Sequence, residues 1–183
     1  DEARQLLLQL STYFRSNLVG ARETQITLAQ ERQQVNAYLS LEMTRFPDKY
    51  DVQLHTTVSD DVLLPPFTIQ VLVENALKHA FGNRKTGNHV NVDVYQQDDR
   101  LIIMVKDNGQ GISPDLIKLL GQQTVPSEHG SGTALHNLNQ RLVGLYDKRS
   151  GLHFTSSNQG TTVSISIPFT KKGGQVNESL NCG

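Results

Sequence analysis

The sequence has no tryptophan, two methionines and one cysteine among its 183 residues. The lone Cys182, near the C-terminus, excludes an intrachain disulfide framework and a cysteine-rich zinc site, and it agrees with a reducing compartment. An excess of charge is lacking too: 17 Lys and Arg against 18 Asp and Glu leave a formal net charge of −1. Nothing in that balance marks a nucleic-acid partner, and none is expected. No apolar run is long enough to cross a bilayer, no signal-peptide pattern opens the sequence, and internal repeats and low-complexity tracts are missing. What is present, 37% hydrophobic and 19% charged, fits one globular domain with an appendage and a core of ordinary size. The opening "DEARQLLLQL" already reads as helix, so a part upstream of it is expected.

Periodicity divides the chain. Over residues 3–19, Leu6, Leu10, Phe14 and Leu18 recur every four residues, a helical stripe that Gly20 ends. A second helix is predicted over about 28–46, with Val35, Tyr38, Leu39, Met43 and Phe46 on one side and Glu31, Arg32, Gln34 and Arg45 elsewhere; Pro47-Asp48 closes it. Val52, Leu54, Thr56 and Val58 alternate as in a strand. After Pro65-Pro66, "PFTIQVLVENALKHA" reads as a helix that buries Ile69, Leu72, Val73, Ala76, Leu77 and Ala80. "VNVDVYQQ" and "LIIMVKD" form a hairpin, and "SPDLIKLLG" a short helix with Ser113 as cap and Pro114 in its first turn. A polar loop, "QQTVPSEHGSG", precedes the helix "TALHNLNQRLVGLY". "LHFTSS" and "TTVSISIPF" make a second hairpin around Asn158-Gln159-Gly160, and a disordered tail is expected over 171–183. The order β-α-β-β-α-α-β-β, with two leading helices, predicts an α/β two-layer sandwich: a mixed sheet with helices on one face.

Three segments carry chemistry. In "VENALKHA", Asn75, Lys78 and His79 lie three to four apart, a polar patch beside an apolar face. The amide oxygen of Asn75 suits Mg²⁺, which takes oxygen ligands and keeps several waters, while Lys78 and His79 suit phosphate oxygens. In "VKDNGQGI", Asp107 at a strand end can accept a hydrogen bond from the exocyclic amine of adenine, where guanine offers a carbonyl. Gly109 and Gly111 behind it let the backbone turn and approach a flat ligand. In "HGSGTALHNL", Gly130 and Gly132 precede a helix whose N-terminus favours anions. Each segment alone has a plainer reading: a solvated helix edge, a β-turn, a glycine loop before a cap. The third is not a Walker-type loop, because the Lys-Ser/Thr that should follow is missing.

Taken in this order, the segments resemble the nucleotide-binding (Bergerat) fold shared by gyrase, heat-shock chaperones, histidine kinases and MutL, the GHKL superfamily. "VENALKHA" resembles its N box, "DNGQG" its G1 box and "GSGTAL" its G2 box. "LSTYFRSNL", "ERQQVNAYLSLEMTRFPD", "PPFTIQVLVENALKHA", "LHNLNQRLVGLYD" and "GTTVSISIP" narrow this to LytS/YehU-type sensor histidine kinases over roughly residues 5–170. The resemblance implies an ATP-binding kinase domain at 49–170 and, at 1–48, the second helix of a dimerisation and phosphoacceptor hairpin with a linker helix. It implies that Asn75 holds Mg²⁺ against the ATP phosphates, with Glu74, Lys78 and His79 around it, and that Asp107 reads adenine, aided by Gly109, Gly111 and Ile112. A lid over about Ser113 to Ser131 would hinge and touch phosphate at Gly130 and Gly132, and Leu135 is counted among the nucleotide-binding residues. Thr161 matches a position that supports adenine recognition through water or through Asp107, although a plain strand residue is the competing reading. The implied partners are the protein's own upstream phosphoacceptor helix, a response regulator and a second copy in a homodimer, on the cytoplasmic side of a bacterial membrane sensor.

Two departures stand out. Ala134 takes the place of a third G2 glycine, which puts nucleotide affinity or lid closure in question. None of His55, His79, His89, His129, His136 and His153 has the Pro-His-Phe context of the phosphoacceptor, so this chain is not expected to phosphorylate itself. Two rival functions follow: a degenerate interaction module without kinase activity, and a hydrolysing ATPase of the same fold. The ATPase would need a general-base glutamate one helical turn before Asn75, where Val71 stands.

Overall fold

Val90, Val92 and Val94 point to one side of a strand, and Leu101, Ile103 and Val105 of the next strand follow the same alternation; all six are buried. The computed structural model that shows this describes residues 4, 7, 8, 10, 11, 13–15, 22–120 and 131–173. In chain order its elements are β1 (Ile26–Thr27), α1 (Leu28–Arg45), β2 (Tyr50–Thr56), β3 (Leu63–Leu64), α2 (Thr68–His79), β4 (Asn88–Gln97) and β5 (Arg100–Asp107). They continue with α3 (Pro114–Leu119), α4 (Ser131–Leu145), a 3₁₀ turn (Lys148–Ser150), β6 (His153–Ser157) and β7 (Gly160–Pro168).

Five strands form one sheet in the order β2-β4-β5-β7-β6. β2 runs parallel to β4, and the other neighbours are antiparallel. A parallel pair needs a crossover, and α2 lies in it, packing back across β4 and β5. Leu72, Val73 and Leu77 of α2 and Leu135, Leu138 and Leu142 of α4 join the strand residues in one core. Asn91, Asp93, Met104 and Ser164, on the opposite side of the sheet, are half-buried. The molecule is the expected α/β sandwich with a mixed sheet.

Helix starts explain much of the local structure. Thr27 and Gln30 make a reciprocal capping box at the start of α1. Ser113 accepts from the Leu116 amide and Pro114 opens α3, as expected. At α2 the sequence Pro65-Pro66-Phe67 supplies no capping side chain, and Phe67 adopts a left-handed φ of 62°. The cap comes from α1: the Glu31 carboxylate accepts from the amides of Phe67 (2.8 Å), Ile69 (2.7 Å) and Gln70 (3.1 Å). Glu31 was expected off the apolar side of its helix; it is instead 0% exposed, because three helix-start N–H groups replace its water. Burial pushes its carboxyl up to about 7, against those amides and the charge of Arg141, whose guanidinium also donates to the Pro66 carbonyl.

Smaller differences concern short elements. β1 and β3 form an antiparallel ribbon of two residues each, too short for any periodicity to show. Lys171, assigned by sequence to the tail, bridges Val62, and residues 174–183 lie outside the described residues. So do Leu6, Leu18 and Gly20 of the leading helical pattern. Tyr13 of that segment is described; it packs 6.2 Å from the Tyr38 ring and accepts a hydrogen bond from Gln70.

Candidate functional site

The alternation that buries Val105 carries Asp107, two residues on, to the same helix-covered side at the end of β5. Asp107 is 7% exposed. Its Oδ1 accepts from the Gly109 amide (2.8 Å) and the Thr161 amide (3.1 Å), which leaves Oδ2 for a donor in the cavity that the residue lines. Burial raises the carboxyl above the ordinary carboxylate range, opposed by those two amides and by the Arg84 guanidinium.

The turn behind it fits against the protein's own backbone. A Cβ on Gly109 would stand 2.3 Å from the Ala80 carbonyl oxygen. One on Gly111, where φ is +78°, would stand 1.9 Å from that of Ser157. The expectation that these glycines make room for a flat ligand is therefore corrected in part: their bare Cα atoms let the end of α2 and the β6–β7 hairpin close on the turn. The Gln110 amide donates to the Ala80 carbonyl at 2.9 Å, joining the asparagine-bearing helix to the Asp107 turn.

The cavity enclosed by these elements is lined by Asn75 and His79 of α2, Asp107, Gly111, Ile112 and Thr161, six of the residues singled out from sequence. Leu72, Ala76, Ala80, Val105 and Val163 complete an apolar wall that the sequence reading had not assigned to a site. Gly109 reaches the cavity only through its bond to Asp107. Lys78 and Glu74 do not line it; they pair with each other along the edge of α2. A helix turns 100° per residue, so Lys78 and the adjacent His79 cannot share a direction, and the expected single patch is split. Leu135 is buried in the core and does not line the cavity. Gly132 lies in the first turn of α4, and Ala134 is exposed two residues further along that helix. Gly130 and residues 121–130 of the expected lid lie outside the described residues.

Sequence reading missed two supporting groups. Asn108 accepts from the His89 amide (2.8 Å) and from Arg84 (2.7 Å), while Arg84 also donates to Asn88 (2.6 Å), tying the α2–β4 loop to the Asp107 turn. Ser156, across the β6–β7 hairpin from Thr161, bonds to both Thr161 and the Ile112 amide. Ser156 and Thr161, each two residues outside the Asn158-Gln159 turn, were a usable signal for the second; the first had none.

Residues 66–171 match the family model described as histidine kinase-, DNA gyrase B-, and HSP90-like ATPase, and residues 1–50 match a model described as histidine kinase. Sensor protein LytS of Staphylococcus haemolyticus is 54% identical over 169 residues, covering 92% of this chain and 29% of that protein. The chain thus spans less than a third of the length of such relatives. Among solved structures, the histidine kinase domain of the Erythrobacter litoralis EL346 blue-light activated histidine kinase superposes with a TM-score of 0.59 at 20% identity, over 92% of this chain and 75% of that one. Histidine kinase ThkA, solved in complex with response regulator protein TrrA, superposes with a TM-score of 0.57 at 15% identity, over 90% of this chain and 48% of that one. Both share the fold. With more than half of its length matched by the model, the chain belongs to the family of histidine kinase-, DNA gyrase B- and HSP90-like ATPases.

Proposed function

We propose that this chain is the ATP-binding catalytic part of a bacterial two-component sensor histidine kinase. Residues 49–170 form the nucleotide-binding unit, and residues 1–48 the helical segment that joins it to the dimerisation region. It would move the γ-phosphoryl group of Mg-ATP to an imidazole nitrogen on a helix upstream of Asp1. One observation carries the reading: residues from three separate sequence segments line one cavity around a carboxylate with an uncommitted oxygen. The LytS identity supports the kinase class, and the pairing of ThkA with a response regulator protein supports a protein of that kind as the next acceptor. A homodimer and a membrane-bound sensor are proposed on the same relationship. Among the described residues, no helix is long and apolar enough to cross a membrane.

Asp107 would accept the adenine amine on Oδ2, while the apolar wall from Leu72 to Val163 covers the ring. Among the described residues no group of three or more His, Cys, Asp and Glu could hold a metal. The single amide of Asn75 fits an ion that phosphate oxygens and water mostly coordinate, which is the habit of Mg²⁺. That ion, when bound, would neutralise charge on the phosphate oxygens. Lys78 is available to the phosphates at small cost, since an exposed ion pair such as its contact with Glu74 contributes about 0.3–0.5 kcal/mol. Val71, one turn before Asn75, is half-buried and apolar and cannot take a proton from water, which favours transfer over hydrolysis.

The test incubates this chain with γ-labelled ATP and a longer chain that carries the upstream helix but has Asp107→Asn in its own ATP site. Label appearing on a histidine of that helix supports the assignment. A chain that binds no Mg-ATP and transfers no label would favour the degenerate interaction-module reading, and steady phosphate release without transfer the hydrolase.

A further inference from the structure

Ser156 stands behind the cavity wall, opposite Thr161 in the register of the β6–β7 hairpin. Its hydroxyl oxygen meets three groups: the Ile112 amide at 2.8 Å, Thr161 Oγ1 at 2.9 Å and the Gly160 carbonyl at 3.2 Å. A serine hydroxyl has one proton and two lone pairs. The Ile112 N–H occupies one lone pair, so two contacts share one proton and one lone pair. If Thr161 donates to Ser156 and Ser156 donates to the Gly160 carbonyl, every contact is a hydrogen bond. In the reverse arrangement Ser156 donates to Thr161, the Gly160 contact is lost, and the Thr161 proton is left to the cavity. Thr161 is 4% exposed, so an unpaired donor there carries the full cost of its lost water.

We propose that Ser156 sets the hydrogen-bond polarity of Thr161, turning its proton away from the cavity so that Thr161 and Asp107 both present acceptors to the bound base. The inference rests on the nucleotide reading above. Two acceptors suit the two hydrogens of a 6-amino purine, and they oppose the lone pairs of a 6-oxo purine. Ser156 does not line the cavity. It is a positioning residue for base selection, acting through Thr161.

The test measures the dissociation constants of Mg-ATP and Mg-inosine triphosphate by calorimetry for the wild type, Ser156→Ala and Thr161→Val. Wild type should prefer ATP. In Ser156→Ala the threonine hydroxyl is free to turn and donate to O6, so the preference should fall by about tenfold, the value of one neutral hydrogen bond. Thr161→Val removes an acceptor that only the amino purine uses, so ATP should weaken while inosine triphosphate holds. An unchanged preference in a folded Ser156→Ala protein overturns the proposal. So does a Thr161→Val protein that loses more affinity for inosine triphosphate than for ATP, and this near-isosteric variant decides the matter if Ser156→Ala does not fold. A wild type that binds neither nucleotide overturns the nucleotide reading itself, whereas a wild type that binds ATP beside a Ser156→Ala protein with the same preference overturns only the role of Ser156.

Discussion

Gly111 leaves the end of β5 with a positive φ and no room for a side chain on the Ser157 side. Gly111→Ala should therefore lower unfolding stability by about 2–3 kcal/mol, through backbone strain and the shift of the β6–β7 hairpin it forces, read as a lower urea midpoint. Lys78 makes the opposite prediction. Its partner is a surface carboxylate, so Lys78→Ala should change stability by less than about 0.5 kcal/mol. Under the proposed role of Lys78 at the phosphates, the same variant should weaken ATP by about tenfold. A Lys78→Ala protein with unaltered ATP affinity would return the lysine to a purely surface role. At this scale the sequence was readable where a residue type has few other uses: a carboxylate at a strand end before Gly-x-Gly, and an asparagine on an otherwise apolar helix face. It misled at Glu31. A charged residue three positions into a helix looks solvated until the uncapped start of another helix is brought against it.

That cap ties two elements together. α1 supplies Glu31, α2 supplies the amides, and α4 brings Arg141 to the same junction, so the helix bearing Asn75 is anchored at one end by its neighbours and at the other by the Ala80 contact with the Asp107 turn. Glu31→Ala leaves three helix-start donors unpaired in a dry site and should cost about 2–4 kcal/mol, measured by chemical unfolding. The pH dependence has a definite sign. Because the folded-state pKa is raised from 4.5 to about 7, the folded protein holds a proton that the unfolded chain has released. The Glu31 contribution to stability therefore declines as pH rises from 4.5 to about 7. Glu31→Gln should flatten that part of the stability profile, and an equal slope in both proteins would contradict the assignment. Helices and strands of five residues or more were legible from their periodicity. The two-residue ribbon of β1 and β3 and the 3₁₀ turn were not, because they are too short to show a period and are held in part by distant partners, Thr170 for Leu63 and Arg100 for Ser150.

For the whole molecule, topology brings α2, the end of β5 and the start of β7 to one side of the sheet, and the cavity forms where they meet. The family resemblance placed these segments in one site; the split of Lys78 from His79 follows from helical spacing, whereas the Arg84 support could not be read from spacing, since it depends on how the α2–β4 loop folds back. Base reading by Asp107 is tested most directly by calorimetric titration of Mg-ATP into the wild type and Asp107→Asn. The asparagine can keep the bonds to Gly109 and Thr161 through its carbonyl oxygen while turning an N–H₂ group toward the adenine amine. Affinity should fall by at least about tenfold with thermal stability nearly unchanged. Equal ATP binding by the two proteins would contradict the claim that Asp107 reads the base.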